Sequence, residues 1–311
     1  MAFLYALPGA VAEGLIWGLM AIGVYISYKI LDIADLTVDG SICTGACVCA
    51  VLLSMGVPAW VSVLIALLAG AITGIVTGLL HTLLGIPSIL AGILTQLMLY
   101  SVNLLTLSGK SLMPIDPRAN VLLVHMSDNH GSIVSLLLIV VATIFLLYEF
   151  FYTEIGLTLK STGDNPDMSR AQGVDVNRNK VIGLAISNGI VAMAGALLAQ
   201  YKGSANINDG RGAIVIGLAA IFIGLSVSLK IKPNFVVSLI GVTCGGIVYY
   251  IVYNFVILMG LKTDYLKMLS AIIVALFLGI PYLKTKYFTK QKDLHPSDLI
   301  AKAKAGGDGH A

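Results

Sequence analysis

Long apolar runs alternate with short polar segments along the chain, and this pattern predicts about nine membrane-spanning helices. Each run is close to the roughly 20 residues that a helix needs to cross a hydrocarbon core. The runs lie at residues 9–28, 39–56, 59–81, 87–107, 132–152, 180–200, 213–229, 234–259 and 265–283. The second and seventh are short, so we expect helices that are bent or partly re-entrant there.

The composition supports this interpretation. Of the 311 residues, 58% are hydrophobic and 11% are charged, whereas about 25% are charged in soluble proteins. We therefore expect an all-α polytopic membrane protein, with a transmembrane domain over residues 1–285 and a basic, partly disordered cytoplasmic tail over residues 286–311. The net charge of +3 does not indicate a nucleic-acid partner, because positive residues in a membrane protein mark its cytoplasmic side.

The distribution of Lys and Arg predicts the orientation. The side with the C-terminal tail holds Lys29, Lys160, Arg170, Arg178, Lys180, Lys230, Lys232, Lys284, Lys286, Lys290, Lys292, Lys302 and Lys304. The other side holds Lys110, Arg118, Lys202, Arg211, Lys262 and Lys267, so the 19 basic residues divide 13 to 6. Because cytoplasmic loops carry the excess of Lys and Arg, we expect the N-terminus outside and the C-terminus inside.

A polar stretch over about residues 156–180 interrupts the apolar runs and carries the signals of a short helix. Asn165 can cap its first turn, which Pro166 suits by its fixed backbone angle. Asp167 favours the positive end of the helix dipole, and Gly173 can close the helix in a left-handed conformation. We expect this helix to lie in the cytoplasm and to contact a partner.

Three carboxylates, those of Asp32, Asp35 and Asp39, lie just before the second span. In one interpretation the segment is a solvated connection in which Asp39 caps the second helix. In the other, Thr37 and Asp39 lie in a broken helix that faces a central pathway, because irregular backbone at membrane depth is tolerated where it lines a cavity. Both interpretations stay open.

A second polar Gly-rich segment, residues 206–212, precedes the small-residue run at 213–224. This order resembles that of residues 39–50, and the two segments lie on opposite sides of the membrane in the predicted topology. Such an arrangement is what an inverted repeat requires.

The fourth span carries a polar stripe. Gln96, Tyr100 and Asn103 follow one another at intervals of four and three residues, so they share one face of a helix. Polar groups in a span face protein or water, which leaves helix–helix packing and a substrate pathway as the two interpretations. Ser187, Asn188 and Asn254 in later spans are candidates to complete a pathway lining.

No pattern predicts a metal or nucleotide site. Cys43, Cys47 and Cys49 have no His or carboxylate clustered with them in the way a metal site needs, so we expect them to pack as small apolar residues. The phosphate-loop fragment at 109–111 lacks its first glycine, because Leu104 occupies that position. We therefore do not expect this chain to hydrolyse ATP.

Four segments together resemble a known signature: the run from Gly156 to Pro166, the segment Ala171-Gln172-Gly173-Val174, and the helix segments Ser187-Asn188-Gly189 and Ala194-Gly195-Ala196-Leu197. It is the core signature of ABC-importer permeases of the branched-chain amino acid and ribose type. Lys160 and Ser161 stand where Arg and Ala are usual, and Asn188 replaces a small residue. The segment Ala34–Ser41 resembles the subgroup of tryptophan or tyrosine ABC permeases.

The resemblance implies a bacterial inner-membrane homodimer with two cytoplasmic ATPase subunits, which hold ATP and Mg, and an extracytoplasmic substrate-binding protein. It implies no cofactor for this chain. The helix from Asn165 to Gly173 would be the coupling helix, seated in a groove of the ATPase. Asp167 and Arg170 would make charged contacts there, Met168 would be an apolar anchor, and Asn165 and Gly173 would fix the helix ends.

The expected solute is small and neutral or zwitterionic, because the polar stripe contains few charges. The resemblance favours an aromatic amino acid, and a branched-chain amino acid, a sugar or a nucleoside is the alternative. An ATP-independent channel or an ion-coupled transporter is the alternative of a different class. Proton or sodium coupling often needs an acidic residue at membrane depth, and none lies in the middle of a predicted span.

Overall fold

The computed structural model describes residues 2–116, 122–126, 128–228 and 234–258, together with residues 268, 271, 272, 275 and 279. Nearly all of them belong to one compact unit, Met1–Val274. Most of the predicted ninth span, residues 265–283, and the predicted tail, residues 286–311, lie outside the described residues.

The described residues form ten α-helices and one small sheet. The helices are α1 (Ala2–Tyr25), which continues as a π-helical turn (Ile26–Ile30), α2 (Val38–Ser54), α3 (Ala59–Thr82), α4 (Ser88–Thr106), α5 (Asn129–Phe151), α6 (Glu154–Asp164), α7 (Pro166–Ala171), α8 (Val176–Lys202), α9 (Ala213–Ser228) and α10 (Phe235–Leu258). The strands β1 (Leu112–Pro114) and β2 (Ser204–Asn206) pair antiparallel, with Met113 opposite Ala205.

The all-α membrane fold predicted from the sequence is confirmed. In the described part of the chain, α1 with its π-helical turn, α3, α4, α5, α8 and α10 are long and apolar enough to cross a membrane. The helices α2 and α9 have only 17 and 16 residues. They correspond to the second and seventh predicted spans, which were expected to be short.

Helix α8 is the core of the unit and packs against α1, α2 and α3. Small residues bring α2 and α8 close together: a Cβ atom on Gly45 would collide with the Ala192 carbonyl, and one on Gly195 with the Ile42 carbonyl. Such close backbone approach is how membrane helices gain packing energy.

With 27 residues, α8 is about 40 Å long. Its first residue follows α7 and its last precedes β2, so we call its two ends the α7 end and the sheet end.

The α7 end carries two short helices, where the sequence predicted one. Residues 161–164, which belong to the polar stretch between the apolar runs, form the last turn of α6. Thr153 caps α6 by accepting a hydrogen bond from the Gly156 amide at 3.3 Å, and the helix buries Leu159. Gly163 lies directly against the carbonyl oxygen of Ile30. The helix was missed because it is amphipathic and contains no long apolar run.

Candidate functional site

The six-residue helix α7 has ends that are fixed by its own sequence. The side chain of Asn165 accepts a hydrogen bond from the Met168 amide at 3.0 Å, and proline occupies the first helical position. After the helix, Gly173 adopts a left-handed conformation with φ +82°, which glycine reaches without steric cost. The structure therefore contains the predicted start and stop signals in the predicted places.

One face of α7 points to solvent and the other is attached to α6. Asp167 and Arg170 are exposed and lie 3.6 Å apart across one turn, and Met168 is 59% exposed. On the opposite face Ser169 is buried, and its hydroxyl lies 3.0 Å from the Asn165 carbonyl and 3.3 Å from the Ser161 hydroxyl. The helix thus presents one apolar and two charged side chains from a fixed base.

A cavity of about 400 Å³ lies between α2, α4 and the segment that precedes α9. Gln96, Tyr100 and Asn103 line it from α4, Asp39 lines it from α2, and Arg211 lines it from the segment before α9. The structure therefore brings together four residues that the sequence suggested for a pathway, and it adds Arg211, which the sequence did not suggest. The remaining lining residues are Gly40, Cys43, Leu97 and Ile207.

Asp39 connects the starts of the two short helices. It lies in the first turn of α2, and its two carboxylate oxygens accept hydrogen bonds from the Gly212 and Ile214 amides at 2.9 Å each. Its negative charge is favourable there because a helix N-terminus carries partial positive charge. The interpretation that Asp39 caps a helix therefore needs a correction, because the helix is α9 rather than α2. The chain leaves helical geometry between Ile30 and Val38, so the break of the alternative interpretation is present. Asp39 lines the cavity, but Thr37 does not.

Three of the other pathway candidates lie away from this cavity. The Thr37 hydroxyl is 2.7 Å from the Thr77 hydroxyl, in the contact between α2 and α3. The Ser187 hydroxyl donates to the Gly23 carbonyl at 2.7 Å and joins α8 to α1. Asn254 lines a separate cavity of about 190 Å³. The first two thus make helix–helix contacts.

Asn188, the remaining candidate, belongs to a buried polar network. Its amide nitrogen donates to the Asp35 carboxylate at 2.6 Å, and its amide oxygen accepts from the Ser41 hydroxyl at 2.6 Å. The second oxygen of Asp35 accepts from the Thr37 amide at 2.9 Å. Asp35 is not among the residues that the sequence suggested for a pathway, because its partner on α8 lies 153 residues away along the chain.

The cysteines of α2 are free and buried. The Cys43 thiol donates to the Ile207 carbonyl at 3.3 Å and accepts from the Gly210 amide at 3.1 Å. This thiol therefore fixes the segment before α9 against α2. Among the described residues, no group of three His, Cys, Asp or Glu side chains is placed to hold a metal ion.

The family described as the permease component of the branched-chain amino acid transport system matches residues 9–287. The chain belongs to this permease family. The permease is 37% identical to the tyrosine transport system permease protein of Clostridioides difficile (strain R20291) over 268 residues, which are 86% of this chain and 88% of the relative. It is 32% identical to an uncharacterized protein of Rickettsia prowazekii (strain Madrid E) over 272 residues, 87% of this chain and 95% of the relative. No solved structure matches the permease.

The family assignment confirms the resemblance found in the sequence. It places the permease among the transport subunits of membrane transport systems. The match covers the helices that build the cavity as well as α7. Both parts of the candidate site therefore belong to the region that defines the family.

Proposed function

We propose that this permease is the transmembrane subunit of an ATP-binding cassette importer for an aromatic amino acid, with tyrosine as the first candidate. The relative from C. difficile, a tyrosine transport system permease protein at 37% identity, supports the substrate class. The sequence contains no complete phosphate loop, so a separate ATPase subunit that holds ATP and Mg supplies the energy.

The observation that carries the proposal is the position of α7 relative to α8. The helix α7 exposes Met168 between the charges of Asp167 and Arg170. Only the short segment after Ala171 separates it from α8, which begins at Val176 and packs against α2 beside the cavity. We infer that α7 is the coupling helix and that ATP-driven closure of the ATPases moves α8 through it. Rigid-body movement of this kind is a known way to alternate the access of a site.

The cavity suits a zwitterionic aromatic solute. Its volume of about 400 Å³ falls in the range of small-molecule sites, roughly 300–1,000 Å³. Arg211 offers a positive charge for a carboxylate, and Asp39 offers a negative charge for an ammonium group. Tyr100 provides a ring that can contact an aromatic side chain edge-to-face or in an offset stack. Gln96 and Asn103 add hydrogen-bonding groups without further charge.

The same residues indicate where a second copy of the permease is needed. Gln96 lies eight positions after the start of α4 at Ser88, or about 12 Å along the helix, which is well inside the membrane. Tyr100 is 43% exposed, and Arg211 is also exposed. A charged side chain facing lipid at this depth is costly. We infer that a second copy covers this face and that the two copies enclose the pathway.

The orientation follows from the Lys and Arg count. The N-terminus is outside, the C-terminus is inside, and the α7 end faces the cytoplasm of a bacterial cell whose inner membrane holds the permease. The sheet end then faces outward, where an extracytoplasmic substrate-binding protein delivers the solute. Two permease copies and two ATPase subunits complete the assembly.

Co-purification with the ATPase and uptake in liposomes test the proposal together. Arg170→Glu reverses a charge on α7 and is expected to abolish both ATPase binding and tyrosine uptake. Lys110→Glu is the matched control, because Lys110 is an exposed cation that follows α4 at the sheet end. It is expected to leave ATPase binding unchanged. Full uptake by the permease alone would contradict the proposal and support a channel or an ion-coupled transporter.

The substrate is tested by competition in the same liposomes. We expect unlabelled tyrosine and tryptophan to inhibit tyrosine uptake more strongly than leucine, a sugar or a nucleoside. Stronger inhibition by leucine would replace the aromatic substrate with a branched-chain amino acid and leave the ABC mechanism in place.

A further inference from the structure

Asn188 is fully buried at a point of α8 where it contacts both sides of the break that precedes α2. Its nitrogen donates to Asp35, which comes before α2, and its oxygen accepts from Ser41, which lies in the first turns of α2. Both distances are 2.6 Å. One side chain of α8 therefore holds the break and the helix that follows it.

The network gives α8 a fixed register against α2. Asp35 is 3% exposed, and no cation lies within 4 Å of it among the described residues. Its carboxyl group accepts hydrogen bonds from the Asn188 side-chain amide and from the Thr37 backbone amide. A buried carboxylate that loses such a partner is costly. A displacement of α8 along its axis must therefore carry Asp35 and Ser41 with it or break two short hydrogen bonds.

The connection continues from Ser41 to the cavity. Asp39 lies two residues earlier in α2, lines the cavity and holds the start of α9 through the Gly212 and Ile214 amides. Asn188 lies 12 residues after the start of α8 at Val176, or about 18 Å along the helix. A movement that enters at the α7 end can thus reach the cavity through one continuous helix and one side-chain network.

We propose that Asn188 is a positioning residue that transmits the displacement of α8 to α2, and thereby to the cavity. The inference rests on the proposed function, because it assumes that an ATPase acts on α7. It adds the internal residue through which that action reaches the solute. Asp35 is its acceptor, and Ser41 is its second contact.

The test compares coupling with assembly in the complete complex of permease, ATPase and binding protein. Coupling is measured as the ratio of ATPase activity with tyrosine-loaded binding protein to basal ATPase activity, alongside tyrosine uptake. Asn188→Leu keeps the approximate size of the side chain and removes the hydrogen bonds to Asp35 and Ser41, together with the bond to the Leu184 carbonyl within α8. We expect the complex to assemble with normal basal activity while stimulation falls about tenfold, which lies within the range of coupling between sites in proteins.

Two further variants keep the test decisive if Asn188→Leu folds poorly. The exchange D35N with N188D restores a hydrogen-bonded carboxylate–amide pair, and we expect it to recover stimulation to within about threefold of wild type. Ser41→Ala removes the second contact together with the 2.7 Å contact between the Ser41 and Thr73 hydroxyls, and we expect it to assemble and lose about threefold. Exchange variants that remain as uncoupled as Asn188→Leu would overturn the inference, and so would full stimulation in Ser41→Ala.

Ser187→Ala is the matched control. Ser187 is the neighbouring residue of α8, is equally buried, and donates to the Gly23 carbonyl of α1. Its loss removes a buried hydrogen bond without touching α2, so we expect stimulation to stay normal. Equal uncoupling by Ser187→Ala would show that any buried contact of α8 has this effect. Absence of stimulation in the wild-type complex would instead contradict the proposed function itself.

Discussion

Removal of the Asp39 carboxylate is expected to destabilise the start of α9. Asp39 accepts hydrogen bonds from the Gly212 and Ile214 amides at 2.9 Å each. A hydrogen bond to a charged group contributes about 1.5–3 kcal/mol, and loss of a helix cap costs about 0.5–2 kcal/mol. These two estimates describe overlapping effects, so we expect Asp39→Ala to cost about 3 kcal/mol. Asp39→Asn is expected to cost about half of that. The oxygen of the Asn side chain can accept one of the two bonds, but the NH₂ group then faces the other backbone amide, which is also a donor.

Thermal unfolding of the purified permease in detergent measures the cost. A loss of 1 kcal/mol lowers Tm by about 2–4 °C in a chain of this size, so Asp39→Ala is expected to lower Tm by about 6–12 °C. Hydrogen exchange at the Gly212 and Ile214 amides should become faster, which locates the effect at α9. Asp209→Ala is the control, because the side-chain contact that it removes within the described part of the chain is the one with Lys202 at 3.6 Å, and it should cost under about 1 kcal/mol.

Two results would refute this reasoning about Asp39. One is an equal Tm in the Asp39→Ala and Asp209→Ala proteins, with unchanged exchange at the start of α9. The other is a wild-type Tm for Asp39→Asn, which would show that the carboxylate charge does not hold the two amides. Either result would mean that the segment before α9 is fixed by other contacts, such as those of the Cys43 thiol.

Two further substitutions test the packing of the helices. Gly163→Ala places a methyl group against the Ile30 carbonyl, and we expect it to lower the free energy of unfolding by about 1–3 kcal/mol, measured by thermal unfolding. Lys160→Ala, at an exposed position, is the control. An effect of Gly163→Ala no larger than that of the control would show that α6 can move freely. Thr77→Val removes a hydroxyl that lies 2.7 Å from the Thr37 hydroxyl and 3.0 Å from a threonine of α4. We expect it to lower stability by about 1–3 kcal/mol, and an unchanged Tm would contradict this.

The features that the sequence predicted are those that it encodes locally. The predicted spans 59–81 and 87–107 agree with α3 and α4 to within one residue at each end, because a long apolar run is sufficient to define a membrane helix. The caps of α7 were equally accessible, since Asn165 lies three residues before its partner amide and Gly173 lies two residues after the last helical residue, Ala171. The stripe on α4 was visible from helical spacing alone.

The features that the sequence did not predict depend on contacts between distant segments. Asp39 and its two partner amides lie 173 and 175 residues apart, and Asp35 lies 153 residues from Asn188. No periodic pattern contains such pairings, because they are set by the packing of α2, α8 and α9. Arg211 was assigned only to the outer side for orientation, and its place in the cavity follows from the fold of the segment before α9.

The two aspartates explain how a membrane protein can contain helices as short as α2 and α9. The first N–H groups of a helix have no partner within it, and lipid offers no water to satisfy them. Asp35 accepts from the Thr37 amide at the start of α2, and Asp39 accepts from the Gly212 and Ile214 amides at the start of α9. Each carboxylate therefore makes one helix break possible inside the protein. Because Asp39 also lines the cavity, the helix break before α9 and the proposed solute site share this residue. A substitution that made the helix continuous at this break would therefore remove polar groups that the solute needs.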